Sequence, residues 1–481
     1  MNKETSFCIV GAGMSGLLMC IRLKEAGFTN IRLLEKAPEL GGTWYHNRYP
    51  GIACDVPAPY YSYSFALNPD WSQKFASGEE IHAYFKSVAE KYDLLRHIEF
   101  NTEVLAAEFN GEQWQLHTSK DETFKCDFMI SACGILHKAV YPEIEGLHDF
   151  RGKLFHSSDW DANYNWKGKR IAVIGNGSTG VQMIPQLAKE ASQLTLFQRS
   201  PQWIMPAKNK IYSDRFKKAQ HWIPGLKQFQ YWSNRKTFES FTNLVLEEGW
   251  QRQLVHRMTR AMLATVKDET LKEKLTPDYE PGCKRLVMSN DFYRAMQKEN
   301  VNLCTDSIKK ITQNGVETNK GETFEFDLIV LATGFDPRAY MRPMVLKNEN
   351  GVALNEVWQK EGIQAYRTVM LPDFANFFMV LGPNSPIGNF SVIAAAEDQT
   401  QFLIKLLKHA FKQSSKVIRV NKTATQDYNQ RIKEAMKTTI WLTGCNSWYL
   451  DEQGNSATWP WTPQQFRKDL KNPDYRDFSF E

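Results

Sequence analysis

Val10-Gly11-Ala12-Gly13-Met14-Ser15-Gly16-Leu17 and, far downstream, Ile174-Gly175-Asn176-Gly177-Ser178-Thr179-Gly180-Val181 are the two stretches whose reading decides the fold. Each is a Gly-x-Gly-x-x-Gly loop. The first leaves a short apolar strand at 6–10 and opens a helix at 17–26, which Gly27 is placed to end. The second leaves a strand at 171–174 and opens a helix at 181–190. In such a loop the glycines allow a tight turn and close approach to a pyrophosphate. The helix N-terminus behind them supplies amide donors and a favourable dipole. A strand before and a helix after raise the pattern above a plain turn. The expected fold class is therefore α/β, with two Rossmann-like dinucleotide-binding domains and two nucleotide cofactors.

The residue that ends the second strand of each unit separates the two nucleotides. After the strand at 31–34 comes Glu35, a carboxylate suited to accept hydrogen bonds from an adenosine ribose. After the strand at 194–198 comes Arg199-Ser200, with no acid. An acid there would repel a ribose 2′-phosphate, and an arginine attracts it. The first site fits FAD and the second fits NADPH. Cofactor contacts are expected from Gly11, Gly13, Gly16 and Glu35 in the first unit. In the second they are expected from Gly175, Gly177, Ser178, Thr179, Gly180, Arg199 and Ser200.

Because the units lie far apart, each domain is expected to be assembled from discontinuous segments. The division is 1–141 with 337–481 for FAD, 150–206 with 284–336 for NADP, and 142–149 as a linker. Residues 207–283, rich in Lys, Arg, Gln and aromatics and poor in glycine, read as a helical insertion in the NADP domain. A helix at 79–91 and buried strands at 123–131 and 324–333 complete the reading.

The 481 residues exceed one ordinary core, and 42% hydrophobic with 23% charged residues is the balance of a soluble globular protein. Formal charge is a mild +5, without a Lys/Arg run that would follow a phosphate backbone, so nucleic acid is not expected. The eight cysteines are scattered without a Cys-x-x-Cys pair, which gives neither a zinc ribbon nor a redox-active dithiol. They are expected to be reduced, and the compartment reducing. No metal site is expected. A strand begins within ten residues of Met1, so no signal peptide is expected, and no run of about 18 apolar residues would span a bilayer. A cytoplasmic enzyme without membrane insertion follows, a monomer or weak homo-oligomer.

Between the loops, residues 150–161 read Phe150-Arg-Gly152-Lys-Leu-Phe-His156-Ser-Ser-Asp-Trp160-Asp161. Shortly after Glu35 comes Gly41-Gly42-Thr43-Trp44-Tyr45-His46-Asn47-Arg48-Tyr49-Pro50-Gly51-Ile52-Ala53-Cys54-Asp55, and then the aromatic stretch Tyr60 to Phe65. A third motif is Cys283-Lys284-Arg285. Together these resemble the fingerprints of the type I Baeyer–Villiger monooxygenases, flavoenzymes that insert one oxygen atom of O2 next to a ketone carbonyl. The resemblance implies FAD and NADPH as cofactors and a small-molecule ketone with O2 as reactants. It implies catalytic roles for Arg285 and Asp55, with Lys284 on the NADP phosphate. It adds Gly42, Thr43, Trp44, Asp55, Tyr61, Val104 and Arg285 to the cofactor contacts, and Trp448 near NADP or substrate. A fixed, always charged guanidinium suits stabilisation of negative charge on oxygen, and Asp55 would orient it. His156 is expected to serve in domain contact, not as a base. Sulfoxidation is a plausible side activity.

Two other readings remain open at this stage. Flavin N- or S-oxygenating monooxygenases share the layout but end the linker fingerprint in Tyr or Phe, where this chain has Trp160-Asp161. A non-enzymatic flavin or NADP sensor would not consume O2 faster when ketones are added. A flavin disulfide reductase would need the absent dithiol. The identity of the ketone is not legible.

Overall fold

The computed structural model describes residues 4–241, 249–386, 390–442, 444–445, 450 and 458–481. Two five-stranded, wholly parallel sheets organise it. The first runs, edge to edge, Phe377–Met379, Phe128–Ser131, Ser6–Val10, Asn30–Leu34 and Ile98–Glu99, so a C-terminal strand completes an N-terminal sheet. The second runs Val301–Cys304, Gln193–Phe197, Arg170–Ile174, Leu328–Leu331 and Lys153–His156, also all parallel. Their central strands are buried except at Ser6 and Arg170, the first residues of two of them, as sheets covered on both faces require. The glycine loops leave Ser6–Val10 and Arg170–Ile174 and enter the helices Met14–Glu25 and Ser178–Leu187, which start three residues before the apolar periodicity suggests. Gly27, at φ +92°, donates its amide to the Lys24 carbonyl at the end of the first helix.

The expected long strands at 123–131 and 324–333 are each two strands in different sheets. Thr123–Cys126 lies in a four-stranded sheet with Trp114–Thr118, Val104–Phe109 and Val345–Lys347, and Phe128–Ser131 lies in the first parallel sheet. Thr323–Glu325 ends a three-stranded antiparallel sheet, and Leu328–Leu331 lies in the second parallel one. An aspartate makes each break. Asp127 accepts the Ser6 amide and hydroxyl at 2.7 and 2.8 Å, and Asp327 accepts the Arg170 amide at 2.8 Å. Each pins the chain beside the first residue of its unit's leading strand before it turns into the parallel sheet. The two halves repeat this device at equivalent points.

The insertion folds as the helices Asp214–Trp222, Leu226–Ser240, Trp250–Leu263 and Glu269–Leu275. Ser213 and Asp268 cap the first and last by accepting the Phe216 and Leu271 amides. Glu239 anchors the second helix to the rest of the molecule. Buried to 6% exposure, it accepts the Tyr60 hydroxyl at 2.9 Å, Arg235 Nε at 3.0 Å, and both terminal nitrogens of Arg467 at 2.9 and 3.1 Å.

One expectation is overturned here. Cys283 and Cys445, 162 residues apart in sequence with Cα atoms 6.1 Å apart, form a disulfide. The remaining six cysteines are unpaired. The fold brings the two together from distant segments, so no sequence spacing signals them. A reducing compartment loses the support it drew from the cysteines.

Candidate functional site

A single cavity of about 1520 Å³ runs between the two parallel sheets. It exceeds the roughly 300–1,000 Å³ of a pocket for one small ligand. Both glycine loops open into it. Gly11, Gly13, Gly175, Gly177, Ser178 and Thr179 line it. So do Glu35, Gly42, Thr43, Trp44, Asp55, Tyr61, Val104, Arg199, Ser200, Lys284 and Arg285. Gly16 and Gly180 do not, because their task is helix packing. A Cβ on Gly16 would stand 1.9 Å from the Gly11 carbonyl oxygen, and one on Gly180 would stand 2.3 Å from that of Gly175. Trp448 lies outside the described residues.

The first glycine of each loop faces a partner that sequence reasoning missed. Cβ atoms on Gly11 and Gly175 would approach the Ala132 and Ala332 carbonyl oxygens to 2.7 and 2.5 Å. Ser131-Ala132-Cys133-Gly134 and Leu331-Ala332-Thr333-Gly334 occupy the same place in the two halves, and the repeated Ala-x-Gly was the available signal. Gly177 differs: a Cβ there would meet nothing within 4 Å, so its face looks into open cavity. Narrow backbone packing behind each loop, with the free space beside Gly177 in the second, fits a pyrophosphate lying on the amides.

Glu35 accepts the Ala12 amide at 2.7 Å and the Ala37 amide at 2.9 Å. Burial raises its pKa above the usual carboxylate range, and those two amides oppose the rise. In the second unit the matching position is Gln198, whose Oε1 accepts Asn176 Nδ2 at 2.7 Å. The same Asn176 nitrogen donates to the Ser200 carbonyl at 2.9 Å. Arg199 is exposed beside this neutral pair. Lys284 Nζ reaches Ser200 Oγ at 3.2 Å and sits 4.4 Å over the Tyr279 ring. Burial holds the Lys284 pKa below its ordinary value. Asp278 opposes this, and the neighbouring charge of Arg199 adds to it. Two cations are thus gathered where a phosphate dianion would relieve their repulsion.

Asp55 and Arg285, 230 positions apart in sequence, meet at 2.6 Å through Oδ2 and Nη2, with side chains 25% and 30% exposed. The segment 49–55 owes its position to the second unit. Tyr49 donates to Gln182 Oε1 at 2.9 Å, and Gln182 Nε2 donates to the Ala53 carbonyl at 2.9 Å. Gly51, at φ +86°, packs where a Cβ would be 2.5 Å from the Gln182 carbonyl oxygen, so only glycine lets the segment lie on that helix. Of the Gly41-Gly42 pair, Gly41 makes room for the His82 ring and Gly42 approaches the Cα of Gly13. Trp44 Nε1 donates to the Tyr61 hydroxyl at 3.2 Å, and burial pushes the Tyr61 phenol far above its usual range.

His156 is buried at 1% exposure and does not line the cavity. Its Nδ1 accepts the Ser158 amide at 3.2 Å, which leaves Nε2 to donate to the Gly334 carbonyl at 3.1 Å. Burial lowers its pKa, as a neutral structural imidazole requires. Trp160 packs on Phe155 and Trp166. The cavity also takes Asn234, Thr237, Phe238 and Phe241 from the helical insertion and its end, and Leu381, Phe390 and Trp441 from the C-terminal half. Nothing in their spacing marks them, because tertiary packing alone collects them.

A family profile described as FMO-like, flavin-binding monooxygenase-like, matches residues 4–452. The chain belongs to this family. An uncharacterized monooxygenase of Mycobacterium tuberculosis is 44% identical over 464 residues, covering 96% of this chain and 94% of the relative. A Baeyer–Villiger monooxygenase of Streptomyces coelicolor is 35% identical over 487 residues, covering 99% and 93%. Among solved structures, cyclohexanone monooxygenase from Rhodococcus sp. Phi1 bound to NADP+ superposes with a TM-score of 0.88 at 26% identity, covering 99% of both chains. The described residues contain no helix long and apolar enough to cross a membrane.

Proposed function

We propose that this flavin-binding monooxygenase is a Baeyer–Villiger enzyme that uses FAD, NADPH and O2 to convert a ketone into an ester or lactone. Sulfoxidation is proposed as a side activity, and the cytoplasm as its place of work. Segments 1–141 and 337–481 would bind FAD, 150–206 and 284–336 NADP, with 207–283 inserted and 142–149 linking. The observation that carries the reading is the Asp55–Arg285 pair at 2.6 Å, held in the cavity that both glycine loops enter. The names of the Streptomyces and Rhodococcus relatives support it.

The bound flavin, reduced by NADPH, would supply the oxygen chemistry. This chain's residues do the rest. Gly11 and Gly13 let the FAD pyrophosphate lie on the helix N-terminus, and Glu35 offers its remaining lone pairs to the ribose hydroxyls. Arg199 and Lys284 would hold the 2′-phosphate of NADPH, and Ser200 would donate beside them. Arg285 presents a planar fork of N–H donors. Asp55 holds one side of that fork, and this would orient the guanidinium for negative charge growing on oxygen. Trp44 and Tyr61, packed edge to face at 5.7 Å, give an apolar corner that would exclude water.

An O2-dependent NADPH-oxidation assay over cyclic, linear, aryl and steroid ketones, with products identified by mass, tests the reading. Esters or lactones gaining one oxygen atom are expected. N-oxides or S-oxides with no ester from any ketone would refute it in favour of an N- or S-oxygenating enzyme.

A further inference from the structure

The positive charge of this protein is concentrated in one place. Residues 207–260 hold eleven Lys and Arg against four Asp and Glu, a net +7, whereas the whole chain is +5. The remainder is slightly acidic. Exposed apolar side chains gather on the same stretch. Trp222 at 83%, Ile211 at 78%, Phe229 at 71%, Trp250 at 69% and Trp232 at 56% are the five most exposed large hydrophobics among the described residues.

The helices arrange these groups in a pattern. On Leu226–Ser240, Phe229, Trp232 and Lys236 follow at i, i+3 and i+7 on one face, and all three are exposed. On Trp250–Leu263, Trp250, Leu254 and Arg257 follow at i, i+4 and i+7, again all exposed. Trp222 ends the preceding helix, which also carries Lys217 and Lys218. The opposite sides of the same two helices are cavity wall, through Asn234, Thr237 and Phe238 and through Val255 and Met258.

We infer that this insertion docks on the surface of an anionic phospholipid bilayer. Exposed Trp and Phe cost free energy in water but suit the headgroup boundary, and Lys and Arg beside them complement anionic headgroups. A protein partner would need no such coupling of aromatics to a net +7. Docking there would leave about one helix diameter, roughly 10 Å, between lipid and cavity, a short route for an apolar substrate dissolved in the bilayer.

Flotation of the full-length, cofactor-loaded protein with vesicles tests this. The probes are pure phosphatidylcholine and an equimolar mixture with phosphatidylglycerol, at about 0.05 M and about 0.5 M salt. Binding to the anionic vesicles at low salt and release at high salt are expected. W222A/F229A/W232A should weaken the partition at least about tenfold. K217E/K218E should weaken it roughly fivefold for each positive charge removed, and further through the charges introduced. Both variants should keep the wild-type thermal midpoint, since Trp222, Phe229, Trp232 and Lys218 are exposed and Lys217 is partly exposed. Absence from the anionic vesicle fraction, or equal binding to neutral vesicles, would overturn the inference. So would self-association abolished by the triple variant without vesicle binding, which would assign the face to a second copy of this chain.

Discussion

Replacing Arg285 with alanine separates chemistry from architecture. In the structure the guanidinium and Asp55 meet at 2.6 Å, with side chains 30% and 25% exposed. Solvent screens a pair so placed, and its own contribution to stability is about 0–1 kcal/mol. The fold and the bound flavin should therefore survive Arg285→Ala. Catalysis should not. One preorganised donor aimed at a developing oxyanion contributes about 2.7–4 kcal/mol, or roughly 10²–10³ in rate. Arg285 offers several donors from one rigid fork, so a loss of ester formation near the upper end, about 10³-fold, is expected. Stopped-flow absorbance follows flavin reduction by NADPH, and gas chromatography follows ester yield. Reduction should stay within a few-fold of wild type while ester disappears and hydrogen peroxide takes its place. Arg285→Lys keeps the charge but not the fork, and should recover only a small part. Asp55→Asn acts through the arginine, so the double variant should be no worse than Arg285→Ala alone. Ester formation unchanged by Arg285→Ala, or loss of flavin from the purified variant, would refute the role.

Three further outcomes follow from the geometry. Arg199→Ala should lower the NADPH-over-NADH preference, measured as the ratio of kcat/KM values, by about 10- to 100-fold, the equivalent of one charge-assisted bond of roughly 1.5–3 kcal/mol. An unchanged ratio would remove Arg199 from the phosphate site. Non-reducing peptide mapping should find Cys283 joined to Cys445. Cys445→Ser should then lower stability to denaturant by about 2–5 kcal/mol through the loop that the bond closes, provided the wild type is assayed without reductant. Asp398, whose pKa burial pushes up to about 7, faces Arg235, Arg467, Glu397 and Glu239. A carboxyl raised in the folded state contributes stability at low pH that is lost as pH climbs from about 4 through about 7. The thermal midpoint of Asp398→Asn minus that of wild type should accordingly rise between pH 5 and pH 8, and a flat difference would contradict the buried, protonated reading.

Much of the fold was legible because local chemistry specified it. The two loops read correctly as strand-to-helix turns, since glycine is the residue that tolerates a Cβ-free approach of 1.9–2.7 Å to a neighbouring carbonyl. Glu35 directly follows its strand, whereas the second strand ends at Phe197, one residue earlier than the sequence suggests, so that Gln198 and not Arg199 stands at the position of Glu35. Other features depend on partners distant in sequence. Asp127 and Asp327 cut what looks like continuous strand, because strand-forming residues run on both sides of each aspartate and nothing local shows that Ser6 and Arg170 wait opposite. The disulfide joins residues 162 apart, and the aromatic cavity wall draws on the insertion and the C-terminal half together. The exposed Trp and Phe of the insertion were visible only as composition. Their exposure, which the sequence does not state, places them at the surface.

The duplicated design also explains why one half differs at a single point. In the first half Ala12 has no polar side chain, and its backbone amide donates to the Glu35 carboxyl. In the second half Asn176 stands at the same place and donates from its side chain to a neutral Gln198 and to the Ser200 carbonyl. The acid becomes unnecessary, and a phosphate dianion can approach Arg199 and Lys284 without a buried carboxylate behind them. Changing Gln198 to Glu alone would set an anion beside that phosphate, yet it would still leave Arg199 in place. The reaction pair belongs to neither half alone. Asp55 sits on a segment seated against the helix Ser178–Leu187 through Tyr49, Gly51 and Gln182, and Arg285 follows the disulfide-bonded Cys283. Their 2.6 Å contact therefore exists only when that segment, the second nucleotide unit and the C-terminal half are docked together.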